Sequence, residues 1–226
     1  SRNLQTIKQT NGIKVIEDKN INDVIISILI DRQNGLWLGT GSNGILKNIS
    51  TDTYLEYYPN TRPTSHESKY IRTLCPYDDE NLLVGTLSGL YIFNTKEKKY
   101  TIPWNELSNV YYTNIKKDQL GRFWISSRKG LYCLQDNIIQ RKDKELIKDT
   151  ISEIVRFSLP LENEKILVCV DLKELYLCDT KTNTSLCINK IYPVLNQNRA
   201  MSFAIEIGSG KILIGGQSGL YEFHEN

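Results

Sequence analysis

The chain has 226 residues, 28 Lys+Arg against 26 Asp+Glu, a formal charge of +2, and 40% hydrophobic and 24% charged residues. That mix is globular, and without a basic block it excludes a strong electrostatic case for nucleic acid. The longest apolar run, Val24–Ile30, falls far short of the roughly 20 residues that cross a bilayer. A start at Ser1 with no signal-like segment points to a processed product or an excised piece.

Two short strands open the chain. Leu4–Gln9 and Ile13–Glu17 flank Asn11-Gly12, a hairpin turn pair, and form half of a unit over 3–18. From there a pattern recurs. Gly44-Ile45-Leu46 returns as Gly89-Leu90-Tyr91, Gly130-Leu131-Tyr132, more weakly Glu174-Leu175-Tyr176, and Gly219-Leu220-Tyr221, at spacings of 45, 41, 44 and 45. Just upstream lie Leu36–Thr40, Leu82–Thr86, Phe123–Ser127, Ile166–Val170 and Ile212–Gly216. Short apolar runs bounded by turn residues read as strands covered on both faces, and no run has the length and 3.6 period of a helix.

Each copy also has a strand further upstream: Val24–Ile30, Tyr70–Cys75, Tyr111–Lys116, Ile151–Phe157 and Met201–Ile207. A fourth follows in four copies: Tyr54–Tyr58, Lys99–Ile102, Ile138–Arg141 and Ser185–Ile188. Four antiparallel strands repeated every 40–50 residues predict an all-β chain of β-propeller blades. The blades span 22–58, 69–103, 109–141 and 150–190, with a partial blade at 200–226. About five blades are present, which suits a fragment of a larger, seven-bladed ring better than a closed five-bladed one.

Trp37, Leu83, Trp124, Leu167 and Leu213 hold one equivalent position and are expected to plug the space against a neighbouring blade. A buried Trp removes about 200 Å² from water, worth roughly 5 kcal/mol gross. Asp31 and Asp118 each stand six residues before a Trp and are read as turn builders. Glu174 replaces the glycine of the other copies, so its turn is expected to differ in shape. Cys133, Cys169 and Cys178 read as small buried hydrophobes, with Cys75 and Cys187 completing an odd count that bears no zinc-ligand spacing. No metal or cofactor is expected.

The run Ile28–Thr40, followed by Gly44-Ile45-Leu46, resembles the two-component regulator propeller repeat. Gly121–Ile125 with Gly130-Leu131-Tyr132 matches it too, and Val84–Leu90 matches without the Trp. The resemblance implies the periplasmic sensor region of a hybrid two-component histidine kinase that responds to oligosaccharides. It also implies that the remaining blades and downstream signalling domains of the parent are partners, with a homodimer open. Kinase motifs are absent from this region, so no catalytic residue is assigned. Inner-strand carboxylates Asp23, Glu153 and Glu206 form no recognisable pair. A protein-interaction scaffold and a polysaccharide-active enzyme are the alternatives.

Ligands of propellers commonly meet the loops that enter the inner strands and those between second and third strands. Flat aromatics and planar hydrogen-bonding groups there suit sugars. The candidates are Tyr70, Arg72, Trp104, Tyr111, Arg128 and Arg199.

Overall fold

A computed structural model describes residues 23–31, 35–42, 44–48, 55–59, 69–148, 152–197, 200–207, 210–217 and 219–224. The expected half unit at 3–18, and Arg199 among the candidates, lie outside these residues. The chain divides into two compact units, 1–109 and 110–226.

The first unit holds two four-stranded antiparallel sheets. One consists of β1 (Ile25–Ile30), β2 (Leu36–Thr40), β3 (Ile45–Asn48) and β4 (Leu55–Tyr58). The other consists of β5 (Ile71–Pro76), β6 (Asn81–Thr86), β7 (Gly89–Asn94) and β8 (Lys99–Thr101). The second unit holds the third blade, β9 (Tyr112–Lys117), β10 (Phe123–Ser127), β11 (Gly130–Gln135) and β12 (Ile138–Arg141). Its fourth blade is β13 (Val155–Pro160), β14 (Lys165–Val170), β15 (Glu174–Asp179) and β16 (Thr184–Cys187). The fifth has β17 (Met201–Glu206), β18 (Lys211–Gly216) and β19 (Gly219–His224). The blades and their strand order are those expected.

Two short helices were not. α1 (Asp143–Leu146) follows the third blade and α2 (Ile188–Ile191) the fourth. Four residues carry no 3.6 period to detect; each helix delivers one polar side chain to the backbone and buries one apolar residue, Leu146 or Ile188. Asp143 Oδ1 accepts the Leu131 N–H at 3.2 Å, and Asn189 Oδ1 accepts the Leu175 N–H at 2.8 Å. Both satisfy the backbone near the start of a third strand.

The turns between second and third strands explain the Gly-Thr pattern. Thr40, Thr86 and Ser127 each donate a hydroxyl hydrogen bond to the carbonyl of Gly44, Gly89 or Gly130 at 2.9–3.0 Å. Gly130, at φ +126°, holds a conformation that a side chain resists. In the fourth blade, as in the first, this turn is one residue longer than in the other three. Asp171 and Leu172 take the positive φ, +48° and +64°, where the first blade has it at Gly44, so Glu174 is spared it and the turn differs in shape as foreseen.

Blade packing follows one rule within each unit. The plug side chain of one blade enters the face that the next blade presents. Trp37 packs with Leu82, Val84 and Phe93, Trp124 with Ile166, Val168 and Val170, and Leu167 with Ile212 and Ile214. Two residues after the plug the chain must be small: Gly39, Gly85, Ser126, Cys169 and Gly215. A Cβ at Gly39 would lie 2.7 Å from Cγ2 of Ile71 on the next blade and also strike Ser27. Cys133, Cys169 and Cys178 are buried and unpaired, as expected of small hydrophobes.

The aspartates build turns as expected and do more. Asp31 Oδ1 accepts the Gly35 N–H at 2.7 Å while its Oδ2 accepts Trp37 Nε1–H at 2.8 Å. Asp118 Oδ1 accepts the Arg122 N–H, and its Oδ2 accepts Arg122 Nε at 2.6 Å and Trp124 Nε1 at 2.9 Å. Where the plug is leucine the position six residues earlier is Tyr77, Leu161 or Ile207. The backbone bond closing that turn is nevertheless kept in all five blades, at 2.8–2.9 Å. The carboxylate is present only where an indole N–H must be satisfied.

The face that the fourth blade turns to the fifth carries Phe157, Leu159, Leu161, Leu167, Cys169 and Leu175, all buried. The equivalent face of the fifth blade carries Phe203, Ile205, Ile207, Leu213, Gly215 and Leu220. There Phe203, Ile205 and Leu220 are 51%, 53% and 65% exposed.

Removing the Asp118 carboxylate leaves an indole N–H without its acceptor and a largely buried guanidinium without its nearest carboxylate. Asp118→Ala should therefore destabilise the second unit by about 3 kcal/mol, and Asp118→Asn by less. Urea unfolding followed through Trp124, the one Trp in that unit, measures it.

Candidate functional site

Five backbone bonds fix which loops share an end of each blade. The N–H of Gly41, Leu87, Arg128, Asp171 and Gln217, each just past a second strand, reaches the carbonyl of Val24, Tyr70, Tyr111, Ile154 and Ala200, each just before an inner strand. A bulge follows at the same place in every inner strand, with Ile26, Arg72, Thr113, Arg156 and Ser202 as the extra residues. The loops expected to hold ligand therefore do share an end within each blade.

The candidates behave differently there. Tyr111 and Arg128 come together, with the guanidinium 4.3 Å from the ring centre. In the first unit Tyr70 and Arg72 are partly buried, Arg72 as the bulge residue of β5. Trp104 is buried and leads into a 3-10 turn at Asn105–Leu107, so its ring is packing. Arg156 holds the Arg72 position in the fourth blade. Aligning Ile71-Arg72-Thr73 with Val155-Arg156-Phe157 would have found it.

A cleft of about 420 Å³ opens at the other end of the second unit, between the third and fourth blades. Its size is within the usual range for small-molecule sites. Cross-strand pairs Cys133–Gln140 and Gln135–Ile138 put four of its side chains on one face of β11 and β12. Across from them stand Thr180 and Asn183 of the turn after β15. Trp124 and Leu146 supply apolar floor. Arg122 forms a wall, stacked 5.4 Å over Trp124 and donating to Thr180 Oγ1 at 3.2 Å.

The cationic groups of the cleft are already engaged. Arg122 pairs with Asp118 at 2.6 Å and faces Glu164 at 3.7 Å, and Lys142 pairs with Glu145 at 2.9 Å. The amides of Gln135, Gln140 and Asn183 are exposed and make no hydrogen bond to a described residue. Three uncommitted amides and the Asp136 carboxylate over an aromatic and aliphatic floor, with both cations already paired, fit a neutral polyhydroxylated molecule. None of the sequence candidates lines this cleft. Its amides sit at the end of β11, on the outer strand β12 and in a turn, where the sequence shows only ordinary surface polarity. The homologous place in the first unit, beside Asp31, Trp37 and Lys47, encloses only about 60 Å³.

The sequence model of the two-component regulator propeller matches residues 19–42. That segment is similar to one repeat of the family. No curated protein sequence matches it. Among solved structures it is similar to an extracellular domain described as that of a hybrid two-component system from B. thetaiotaomicron, at 20% identity and a TM-score of 0.69. That match covers 87% of this chain and 26% of the other. A second such domain from the same organism is 16% identical with a TM-score of 0.58, over 93% of this chain and 33% of that one. The chain thus spans about a quarter to a third of their length. A catalytically inactive virginiamycin B lyase from Staphylococcus aureus has a TM-score of 0.59 at 13% identity, over 92% of this chain and 72% of the lyase. These likenesses establish the β-propeller fold. Among the described residues no helix is long and apolar enough to cross a membrane.

Burial holds the thiols of Cys169 and Cys178 at about 12, against an ordinary value of 9.0. Both stay protonated in the folded state while the unfolded chain ionises from about pH 9. The stability of the second unit should therefore fall as pH rises from about 9 to about 12. Native thiol labelling at pH 8 should be fast at the partly exposed Cys187 and slow at the buried four. Mass mapping of the labelled peptides checks the order.

Proposed function

We propose that this chain is a non-catalytic, ligand-sensing portion of the periplasmic region of a hybrid two-component regulator, and that it binds a neutral oligosaccharide in the cleft between the third and fourth blades. The observation that carries the reading is the trio of free amides, Gln135, Gln140 and Asn183, above Trp124 and Leu146. A sugar ring offers an apolar face to such a floor and a rim of hydroxyls to such amides. The repeat match at 19–42 and the likeness to extracellular sensor domains support the setting.

The remaining blades of the parent polypeptide are the proposed cover of the exposed fifth-blade face, because the same face of the fourth blade is buried by a blade. Downstream signalling domains would then read the bound state. Ile205→Glu with Leu220→Glu should reduce binding of a hydrophobic dye by the isolated chain while leaving its circular dichroism unchanged. Undiminished dye binding would place the apolar surface elsewhere.

Calorimetry with a panel of neutral oligosaccharides, alongside a product assay, tests the function. Saturable binding without turnover is expected. Gln140→Leu or Asn183→Ala should weaken it about tenfold each, the worth of one good hydrogen bond. Turnover by the isolated chain, or binding indifferent to both substitutions, would overturn the reading.

A further inference from the structure

At the opposite end of the second unit from the cleft, two arginines lack acidic partners. Arg156 is the extra residue of the β13 bulge, a device that re-aims a side chain out of the ladder. Its Nε is buried and has no hydrogen-bond partner among the described residues. No carboxylate of a described residue pairs with it, and the same holds for Arg128. The acids of this end are used elsewhere or stand apart. Glu153 pairs with Arg141 and Lys144, Glu174 accepts from the Tyr176 hydroxyl, and Asp171, in the turn beside Arg156, forms no ion pair with it.

The two arginines stand on neighbouring blades whose inner strands are joined at this end by a hydrogen bond. Arg128 lies over Tyr111, which also accepts the Arg128 N–H through its carbonyl at 3.0 Å. Two residues on, Thr113, the extra residue of the β9 bulge, donates its hydroxyl to the Val155 carbonyl at 2.8 Å, and Arg156 follows Val155. A guanidinium with a buried, unused donor carries a desolvation cost that a bound acceptor relieves. Its planar fork matches a carboxylate or sulfate, and stacking on Tyr111 holds the second guanidinium in a restricted pose.

We infer that Arg156 and Arg128 form an anion-recognition site at this end of the second unit, which takes the carboxylate or sulfate group of a ligand. The inference goes beyond the neutral-sugar cleft and does not rest on it.

The probes are glucuronate and inorganic sulfate, with glucose as the uncharged control. Binding is read by calorimetry and by the urea midpoint of Trp124 fluorescence, at ionic strength held constant with sodium chloride. Glucuronate or sulfate should bind wild type, and Arg156→Gln should weaken that binding about tenfold or more. Arg128→Gln should weaken it less, and Arg156→Lys should keep part of it. Sulfate stabilises most proteins generally, so the decisive quantity is the difference between wild type and Arg156→Gln. Equal response of the two proteins, or a loss of glucose binding in Arg156→Gln as large as the loss of glucuronate binding, would overturn the site. Gln140→Leu should leave anion binding unchanged, which keeps its failure distinct from failure of the cleft. Arg156→Gln removes a buried donor without a partner, so it is expected to fold, and its unligated urea midpoint verifies that.

Discussion

An indole buried between two blades brings one polar atom into an apolar seam, and the bond from that N–H to an aspartate six residues back is what makes the seam possible. Without it, Trp37 and Trp124 would trade a large gain in apolar burial against an unsatisfied donor. The aspartate costs little extra, since its other oxygen already closes the turn between the first two strands. The blades plugged by leucine show the converse. They keep the backbone of the same turn and place Tyr, Leu or Ile there.

The same seam positions the cleft. Asp118 holds Trp124 and Arg122 together, and Arg122 reaches the fourth blade through Thr180 and Glu164. That guanidinium spans the gap between the blades at its outer end and leaves open the space that Gln135, Gln140 and Asn183 border. Size follows from the plugs' neighbours: Lys47 lies 4.5 Å over Trp37 in the first unit, where little space remains.

Strands were legible because blade packing covers the second strand of each copy on both faces, and unbroken runs such as Ile166–Val170 record that burial directly. The turns were legible where glycine or aspartate marks a backbone need, and Glu174 correctly marked an altered one. The helices were not, since α1 and α2 are four residues long and are held by tertiary contacts, the bonds of Asp143 to Leu131 and Asn189 to Leu175 and the burial of Leu146 and Ile188. The cleft was not legible either. Gln135 and Gln140 face it only through the strand pairing of β11 with β12, and Asn183 meets them from another blade. Aromatic residues near loops drew attention in the sequence, yet Trp104 is spent on packing. Arg156 carried a signal in its match to Arg72 that only an alignment of the bulges makes visible.

The coupling of plug to turn also constrains how such a chain can change. A leucine plug such as Leu83 could not become tryptophan in one step at full benefit, because position 77 holds Tyr and not the carboxylate that accepts from the indole of Trp37 and Trp124. An aspartate arriving first at 77 would sit in a working turn and be tolerated there. Mutational paths toward a tryptophan-plugged blade therefore have a preferred order, acid before indole, and the reverse order for its loss.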